Sequence, residues 1–142
     1  MAERGLVSEA ERSFHAVVMP LFGGVAGDLE SYLDDLSDLG LCVVLVDNNP
    51  GPTMTRFNPP EQVELVFNAN RGGIAGGLNR GIERALAAGS TWITLLDQDS
   101  RIEVEQILLL SRALAAYPDK QLVVGPSIWD EQRQARHGRW QA

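Results

Sequence analysis

The sequence predicts an α/β protein, a three-layer sandwich with a mostly parallel sheet between helices. Short apolar runs alternate along the chain with longer segments of helical periodicity. The runs lack strict in-and-out alternation, as in "LCVVLV" (41–46), so we expect strands that are buried on both faces. In such sheets, ligands bind at the carboxyl ends of the strands, and two polar clusters follow strands here. These are "DNN" (47–49) and "DQDS" (97–100).

The predicted strands are 15–22, broken at Pro20, then 41–46, 62–67, 91–96 and 121–126. Helices are predicted over 27–40 and 101–117, and the segment 68–89 is predicted to be a glycine-rich turn that runs into a helix. The first helix has Asp28 as its N-cap and Gly40 as its stop. In the second helix, four apolar residues recur at every fourth position and form one face: Ile74, Leu78, Ile82 and Leu86.

The amino-acid composition restricts the size of the domain and the classes of function that fit the sequence. The 142 residues suit one domain, and an apolar fraction of 44% suffices for a core. We expect a polar leader (1–14), a ligand-binding domain (15–129) and a loose polar tail (130–142). The net charge of −7 argues against nucleic-acid binding. A single cysteine, Cys42, excludes an internal disulfide. Neither a membrane span nor a signal peptide is apparent, so we expect a cytoplasmic protein.

The two acids after the fourth predicted strand allow three interpretations. Asp97 and Asp99 could bind a hard divalent cation, magnesium or manganese, that also carries phosphate oxygens. They could instead form a plain polar strand end, with Asp99 or Ser100 capping the next helix. The run "ITLLDQDS" also looks like the opening motif of haloacid-dehalogenase-type phosphatases. That family needs further partners, and few candidates follow: Ser111, Lys120 and the pair Asp130-Glu131.

The glycine-rich run "NANRGGIAGGLNRGIERA" (68–85) fits neither a dinucleotide fingerprint nor a P-loop. Glycines inside a helix cost about 1 kcal/mol each relative to alanine, so close packing or close approach of a ligand must offset them. Asn70 and Asn79 could line a nucleotide there. At the end of the second strand, Asp47 could accept hydrogen bonds from a base or ribose, or could only organise a local turn.

Taken together, "VVLVDNNP" and "NANRGGIAGGLNRGIERALAAGSTWITLLDQDS" are similar in order and spacing to family-2 glycosyltransferases of the GT-A fold. They most resemble the bacterial rhamnosyltransferases that build O-antigen and related polysaccharides. The resemblance covers about residues 15 to 126. It implies a nucleotide-sugar donor, with dTDP-rhamnose the expected one, a divalent metal (Mg or Mn), and a glycan or lipid-linked glycan acceptor.

The resemblance also implies roles for single residues. Asp47 would contact the nucleotide base, and the segment from Asn70 through Gly73 to Asn79 would lie along the nucleotide. Arg71 would be a phosphate partner. Asp97 would reach the ribose or the metal, and Asp99 would bind the metal that bridges the diphosphate.

Two departures from the family bear on these expectations. The first strand leads into "MPLFGG" (19–24) where the family has Thr-Tyr-(Asn/Lys), so one wall of the base pocket differs. Chains of the family are also longer, and the absent half would hold the acceptor site and the general base. No catalytic base can be assigned here. A non-catalytic or truncated nucleotide-sugar-binding module is therefore the alternative function, and an exposed sheet edge would favour a homodimer.

Overall fold

The computed structural model describes residues 15–25, 27–54, 59–117, 123, 128–130 and 135–137. The chain divides into two compact units, Met1–Ile107 and Leu108–Ala142. Six strands are described: β1 (His15–Leu21), β2 (Cys42–Asp47), β3 (Val63–Phe67), β4 (Trp92–Leu95), β5 (Ile128–Asp130) and β6 (Ala135–His137). Three helices accompany them: α1 (Leu29–Asp38), α2 (Gly73–Ala87) and α3 (Val104–Ala115).

The first unit contains a four-stranded, fully parallel sheet in the order β3-β2-β1-β4. The chain steps outward from β1 to β3 and then crosses back to place β4 on the other side of β1. All four strands therefore end at one edge, and the reversal of direction lies at β1. This architecture confirms the predicted α/β sandwich with a parallel sheet, and it is consistent with a GT-A-like fold.

The core has two layers because side chains of a strand alternate between the faces of the sheet. The even-numbered residues of β1 and β2 pack with Ala85 of α2: Ala16, Val18, Val44 and Val46. The odd-numbered residues, such as Val17 and Val43, are equally buried on the opposite face, which α1 covers. Burial on both faces explains why the strands read as continuous apolar runs.

Helix α1 begins and ends two residues inside the predicted segment 27–40. Its stripe of Leu29, Leu33 and Leu36 is fully buried, and Asp28 stands at the N-cap position, although its side chain makes no capping bond. Gly40 follows the helix with φ of +74°, and its N–H donates to Ser37. The next N–H, of Leu41, reaches back to Leu36, which completes a Schellman ending.

Helix α2 contradicts the predicted apolar face. Ile74 and Leu86 are 59% and 56% exposed, and the face buried against the sheet consists of Gly77, Gly81 and Ala85. Each apolar residue stands next in sequence to one of these small residues, or to its four-residue repeat, and so lies about 100° around the helix from the buried face. Of the apolar series, Leu78 packs at the margin of the core. The helix instead approaches the sheet through its smallest residues.

Strand β1 does not break at Pro20, and the pattern of backbone hydrogen bonds gives the reason. The N–H of Leu96 donates to the carbonyl of Val18, whereas the N–H of Asn48 donates to the carbonyl of Leu21. The backbone N–H and C=O groups of even-numbered residues in β1 therefore point toward β4, and those of odd-numbered residues point toward β2. Pairing with β4 ends at Val18. The N–H that proline lacks would therefore point to a side where no strand of the described residues pairs with it, and no ladder bond to them is lost.

The second unit begins inside α3, and beyond that helix the structure describes few of its residues. The predicted strand 121–126 lies outside the described residues except for Val123, which is not in a strand. Strand β5 ends at the first residue of the predicted loose tail (130–142) and pairs antiparallel with β6 inside it, with Trp129 opposite Arg136. Among the helices that the structure describes, none has the length and apolar character that a membrane crossing requires.

Candidate functional site

The candidate site lies at the edge of the sheet where β1, β2 and β4 end. Asp47 is the last residue of β2, and the loop of residues 22–24 follows β1. The turn that carries Asp97 and Asp99 begins two residues after Leu95, the end of β4. Since parallel strands end on the same side, the fold gathers the predicted base-side and metal-side residues at one edge.

Asp47 is 2% exposed and its two carboxylate oxygens organise the loop that follows β2. One oxygen, Oδ1, accepts from the backbone and side-chain amides of Asn49 and from the Thr53 hydroxyl, at 2.8 to 3.3 Å. The other, Oδ2, accepts from the backbone N–H groups of Thr53 and Met54, at 2.7 and 3.3 Å. The turn-forming role left open by the sequence is therefore present. Contact with a base stays a prediction.

These bonds also set the charge state of Asp47. Burial raises the pKa of the carboxyl, but the hydrogen bonds from Asn49 and Thr53 outweigh it and hold that pKa below its ordinary value. Asp47 is thus a stable anion whose charge is spread over several donors. Such a group fixes a loop more readily than it exchanges protons.

Asn48 joins the end of β2 to the glycine-rich turn before α2. Its side-chain amide nitrogen donates to the carbonyl of Gly73 at 3.0 Å and contacts the side-chain oxygen of Asn70 at 3.4 Å. Its own side-chain oxygen accepts from the amide of Asn68 at 2.7 Å. Asn48, which directly follows Asp47 in sequence, therefore bonds two of the predicted nucleotide-binding residues, Asn70 and Gly73.

The backbone of this turn is left-handed at several successive positions. Ala69 and Asn70 have φ of 54° and 51°, and Gly72 and Gly73 have φ of 71° and 62°. Residues with a Cβ adopt such values at a cost, as Ala69 and Asn70 do here, and glycine avoids that cost at the last two positions. The predicted phosphate partner, Arg71, lies in this turn with an exposed side chain whose Nε donates to the carbonyl of Asn68.

The remaining glycines of the run are explained by packing. A Cβ on Gly77 would lie 3.1 Å from the side chain of Asn48, and one on Gly81 would lie 2.9 Å from Val46 and closer still to Val18. A Cβ on Gly76 would overlap the carbonyl of Arg71. Close packing, one of the two explanations that the sequence allowed, therefore accounts for all three. Asn79, further along α2, is exposed.

The turn after β4 holds its two acids outward. Asp97 and Asp99 are both exposed, and neither carboxylate accepts a hydrogen bond from any residue that the structure describes. Helix α3 begins only at Val104, so neither Asp99 nor Ser100 caps it, and the interpretation of this segment as a helix cap is wrong. Instead, the N–H of Ser100 donates to the carbonyl of Asp97 and closes a turn.

Gln98, between the two acids, points toward β1. Its Oε1 accepts from the N–H of Phe22 at 2.6 Å, and its Nε2 donates to the carbonyl of Gly24 at 3.2 Å. The N–H of the intervening Gly23 donates to the side chain of Asn49 at 2.8 Å. The loop after β1 is therefore held from the β4 side and from the β2 side at three consecutive residues.

Arg101 holds the same turn from its far end. Its guanidinium donates to the carbonyls of Gln98 and Ser100, both at 2.8 Å, and forms a two-point ion pair with Asp28. It also lies 5.0 Å from the centre of the Tyr32 ring. The bond from Arg101 lowers the pKa of Asp28 below its usual value. The backbone around the two acids is thus fixed, while their carboxylates have no partner among the described residues.

The sequence did not indicate the roles of Gln98, Asn49 and Arg101. The bonds that link Gln98 to the loop after β1, and Arg101 to Asp28, join residues more than 70 positions apart in sequence, and no local pattern identifies them.

The carboxylates of Asp97 and Asp99 suit a cation whose other ligands come from a bound substrate. No group of three or more potential metal-binding side chains occurs within the part of the chain that the structure describes. Magnesium, however, is commonly held by one or two carboxylates together with substrate phosphates. Two exposed carboxylates on a fixed turn fit that arrangement.

The phosphatase interpretation gains no support from the structure. The Ser111 hydroxyl donates to the carbonyl of Leu108 within α3, in the second unit. Lys120 and Glu131 lie outside the described residues, and of Asp130 only the backbone, in β5, is described.

Comparison with known proteins finds a partial similarity to a glycosyltransferase. The chain is similar to the dTDP-rhamnosyl transferase RfbF of Shigella flexneri, with 31% identity over 109 residues. The aligned region is 75% of this chain and 36% of the relative. Neither a protein-family model nor a solved structure gives a significant match. The similarity is thus to a rhamnosyl transferase, over little more than a third of its length.

Proposed function

We propose that this chain is the donor-binding region of a glycosyltransferase that holds a nucleoside diphosphate sugar, with dTDP-rhamnose as the expected donor. The similarity to a dTDP-rhamnosyl transferase supports the choice of reaction. The observation that carries the proposal is the turn after β4. Its backbone is anchored by Gln98 and Arg101, whereas Asp97 and Asp99 stay exposed and unpaired among the described residues.

Unpaired carboxylates on a fixed turn favour a divalent cation. Two like charges this close in sequence repel each other, and a cation shared with the donor's diphosphate would remove that repulsion. Asp99 would hold magnesium or manganese, with Asp97 beside it or toward the ribose. Bound there, the cation would neutralise charge that develops on the departing diphosphate.

The nucleoside would extend from this turn toward β2. Asn70 and Gly73, held by Asn48 next to Asp47, would line its path, and the exposed Arg71 would add positive charge for a phosphate. Asn79 lies further along α2 and would serve the same path. Asp47 would act through the loop that it organises, or directly on the base.

The first test is calorimetric titration of the 142-residue chain with dTDP, with and without manganese. Wild type should bind dTDP tightly only when manganese is present. Asp99→Asn should weaken that binding at least about tenfold, because loss of one charged ligand costs well over 1 kcal/mol. Asp34→Asn, which removes an equally exposed acid on α1, is the matched control and should bind normally. Unchanged affinity in Asp99→Asn would remove the metal assignment.

Transfer to a glycan or lipid-linked glycan acceptor is proposed for the whole protein, because this chain spans 36% of its relative. Inverting transfer also needs a general base, and none is assigned among the described residues. The second candidate is therefore a binding module without turnover. Release of dTDP from dTDP-rhamnose in the presence of manganese separates the two. Full binding with no release, beyond that of the donor alone in buffer, identifies a binding module.

A further inference from the structure

The side chain of Gln98, between Asp97 and Asp99, makes hydrogen bonds that the proposed binding of a metal by the two acids does not explain. Gln98 reaches away from the exposed carboxylates and bonds Phe22 and Gly24 in the loop after β1. One amide therefore uses both its acceptor and its donor on the backbone of another strand's loop. This is more than is needed to close the turn, which the bond from Ser100 to Asp97 and the guanidinium of Arg101 already do.

The loop of residues 22–24 continues the chain of contacts toward β2. Asn49 accepts from the N–H of Gly23 and donates to Asp47 and Thr53, at 2.8 and 2.9 Å. The two carboxylate sites are thus connected through a short series of directed hydrogen bonds. It runs from Asp47 through Asn49 and the loop to Gln98. Arg101 takes no part in this connection, because it anchors the turn to Asp28 and Tyr32 on the α1 side.

We propose that Gln98 is a positioning residue, which sets the place of the metal-binding turn relative to the nucleoside side of the site. This inference rests on the proposed function. A diphosphate donor must reach both ends of the site at once, so its affinity depends on their separation, whereas a nucleoside alone uses one end. Gln98 contacts neither the donor nor the metal in this account. It acts through the loop of residues 22–24.

Two probes separate positioning from general stability. Thymidine tests the nucleoside side alone, and dTDP with manganese tests both sides. In Gln98→Ala, we expect manganese-dependent dTDP affinity to fall about tenfold, a change of about 1.4 kcal/mol, while thymidine affinity stays within about twofold. Gln98→Glu keeps an acceptor for Phe22 but loses the donor to Gly24, so an intermediate loss is expected. Gln106→Ala, an exposed glutamine on α3, should match wild type for both probes.

The outcomes are distinct. A selective loss for dTDP in Gln98→Ala, partly restored in Gln98→Glu, supports the positioning role. A parallel loss for both probes, or no loss for either, overturns it while leaving the proposed function in place. If wild type binds dTDP no better with manganese than without, the proposed function fails and the positioning role fails with it.

Discussion

The acidic residues at the edge of the sheet differ in what surrounds them. Asp47 is buried, and five hydrogen bonds from its own loop reach its two oxygens. Asp97 and Asp99 are exposed and, among the described residues, without such partners. A satisfied carboxylate stabilises the fold, and an unsatisfied pair is free for a ligand. In the sequence, all three acids follow predicted strands closely, and only the structure shows that Asp47 is buried and bonded while Asp97 and Asp99 are exposed.

The role of Asp47 predicts a stability effect. Asp47→Ala would leave the N–H groups of Thr53 and Met54 and the amide of Asn49 without their acceptor. We expect the free energy of unfolding to fall by about 1–3 kcal/mol, the cost of leaving buried donors unsatisfied. Urea denaturation measures the difference. Asp35→Ala, an exposed acid on α1, is the control, and an equal effect in both variants would contradict the account.

A second residue-scale prediction concerns His15, which is 2% exposed at the start of β1 with its Nε2 within 2.8 Å of the Thr94 hydroxyl. Burial lowers the pKa of this imidazole from 6.5 to about 4. Between these two pKa values, the imidazole of the unfolded chain binds a proton and that of the folded chain does not. The free energy of unfolding therefore falls as the pH falls.

The expected size of the His15 effect is about 1 kcal/mol between about pH 7 and about pH 5.5. Chemical denaturation at a series of pH values measures it. His15→Gln should lose this slope, and His137→Gln, at the chain's other histidine, should keep it. A wild-type stability that is flat over the window would show that His15 is not protected from protonation.

Among the elements, helix α2 shows the limit of pattern reading. Its existence, its start after the glycine turn and its place between β3 and β4 were predictable from periodicity. Its buried face was not, because small residues carry no apolar signal and the helix reaches the sheet through Gly77, Gly81 and Ala85. The same holds for Pro20, whose place in β1 depends on how far β4 extends beside it.

The close approach of α2 predicts the effect of adding one methyl group. In Gly81→Ala, the new Cβ would meet Val46 at 2.9 Å and overlap Val18, and both valines are fully buried. Overpacking costs about 1–3 kcal/mol, which exceeds the gain of up to about 1 kcal/mol in helix propensity. We expect the free energy of unfolding to fall by about 1–2 kcal/mol in urea denaturation.

The matched control for Gly81→Ala is Gly27→Ala, because a Cβ there meets nothing within 4 Å. This variant should leave stability unchanged within about 0.5 kcal/mol. If Gly81→Ala were as stable as wild type, the helix would have room to move outward, and its close contact with β1 and β2 would not be needed.

For the molecule as a whole, net charge and sheet topology both favour the proposed cation at the edge where the strands end. A chain with a net charge of −7 and a single lysine repels a diphosphate, so an anionic donor needs local compensation. The parallel sheet brings the ends of β1, β2 and β4 to one edge, where a cation on Asp99 would supply it. That these strand ends share one edge was predictable from the order of strands and motifs in the sequence. The links through Gln98, Asn49 and Arg101 did not, because they join residues distant in sequence.

The exposed apolar residues are the other feature of the whole molecule. Ile74, Leu86 and Leu95 are each about half exposed or more. Strand β4 is at one edge of the four-stranded sheet. The homodimer expected from such an edge stays a prediction.

The most direct measurement of the central claim is a crystal structure of this chain grown with manganese and dTDP, with anomalous diffraction recorded to locate the metal. We predict an anomalous peak at about 2.0–2.3 Å from a carboxylate oxygen of Asp99, with diphosphate oxygens completing the coordination of the metal. The nucleoside should extend toward Asn70 and Gly73. A metal and nucleotide bound elsewhere, with Asp97 and Asp99 still free in solvent, would contradict it.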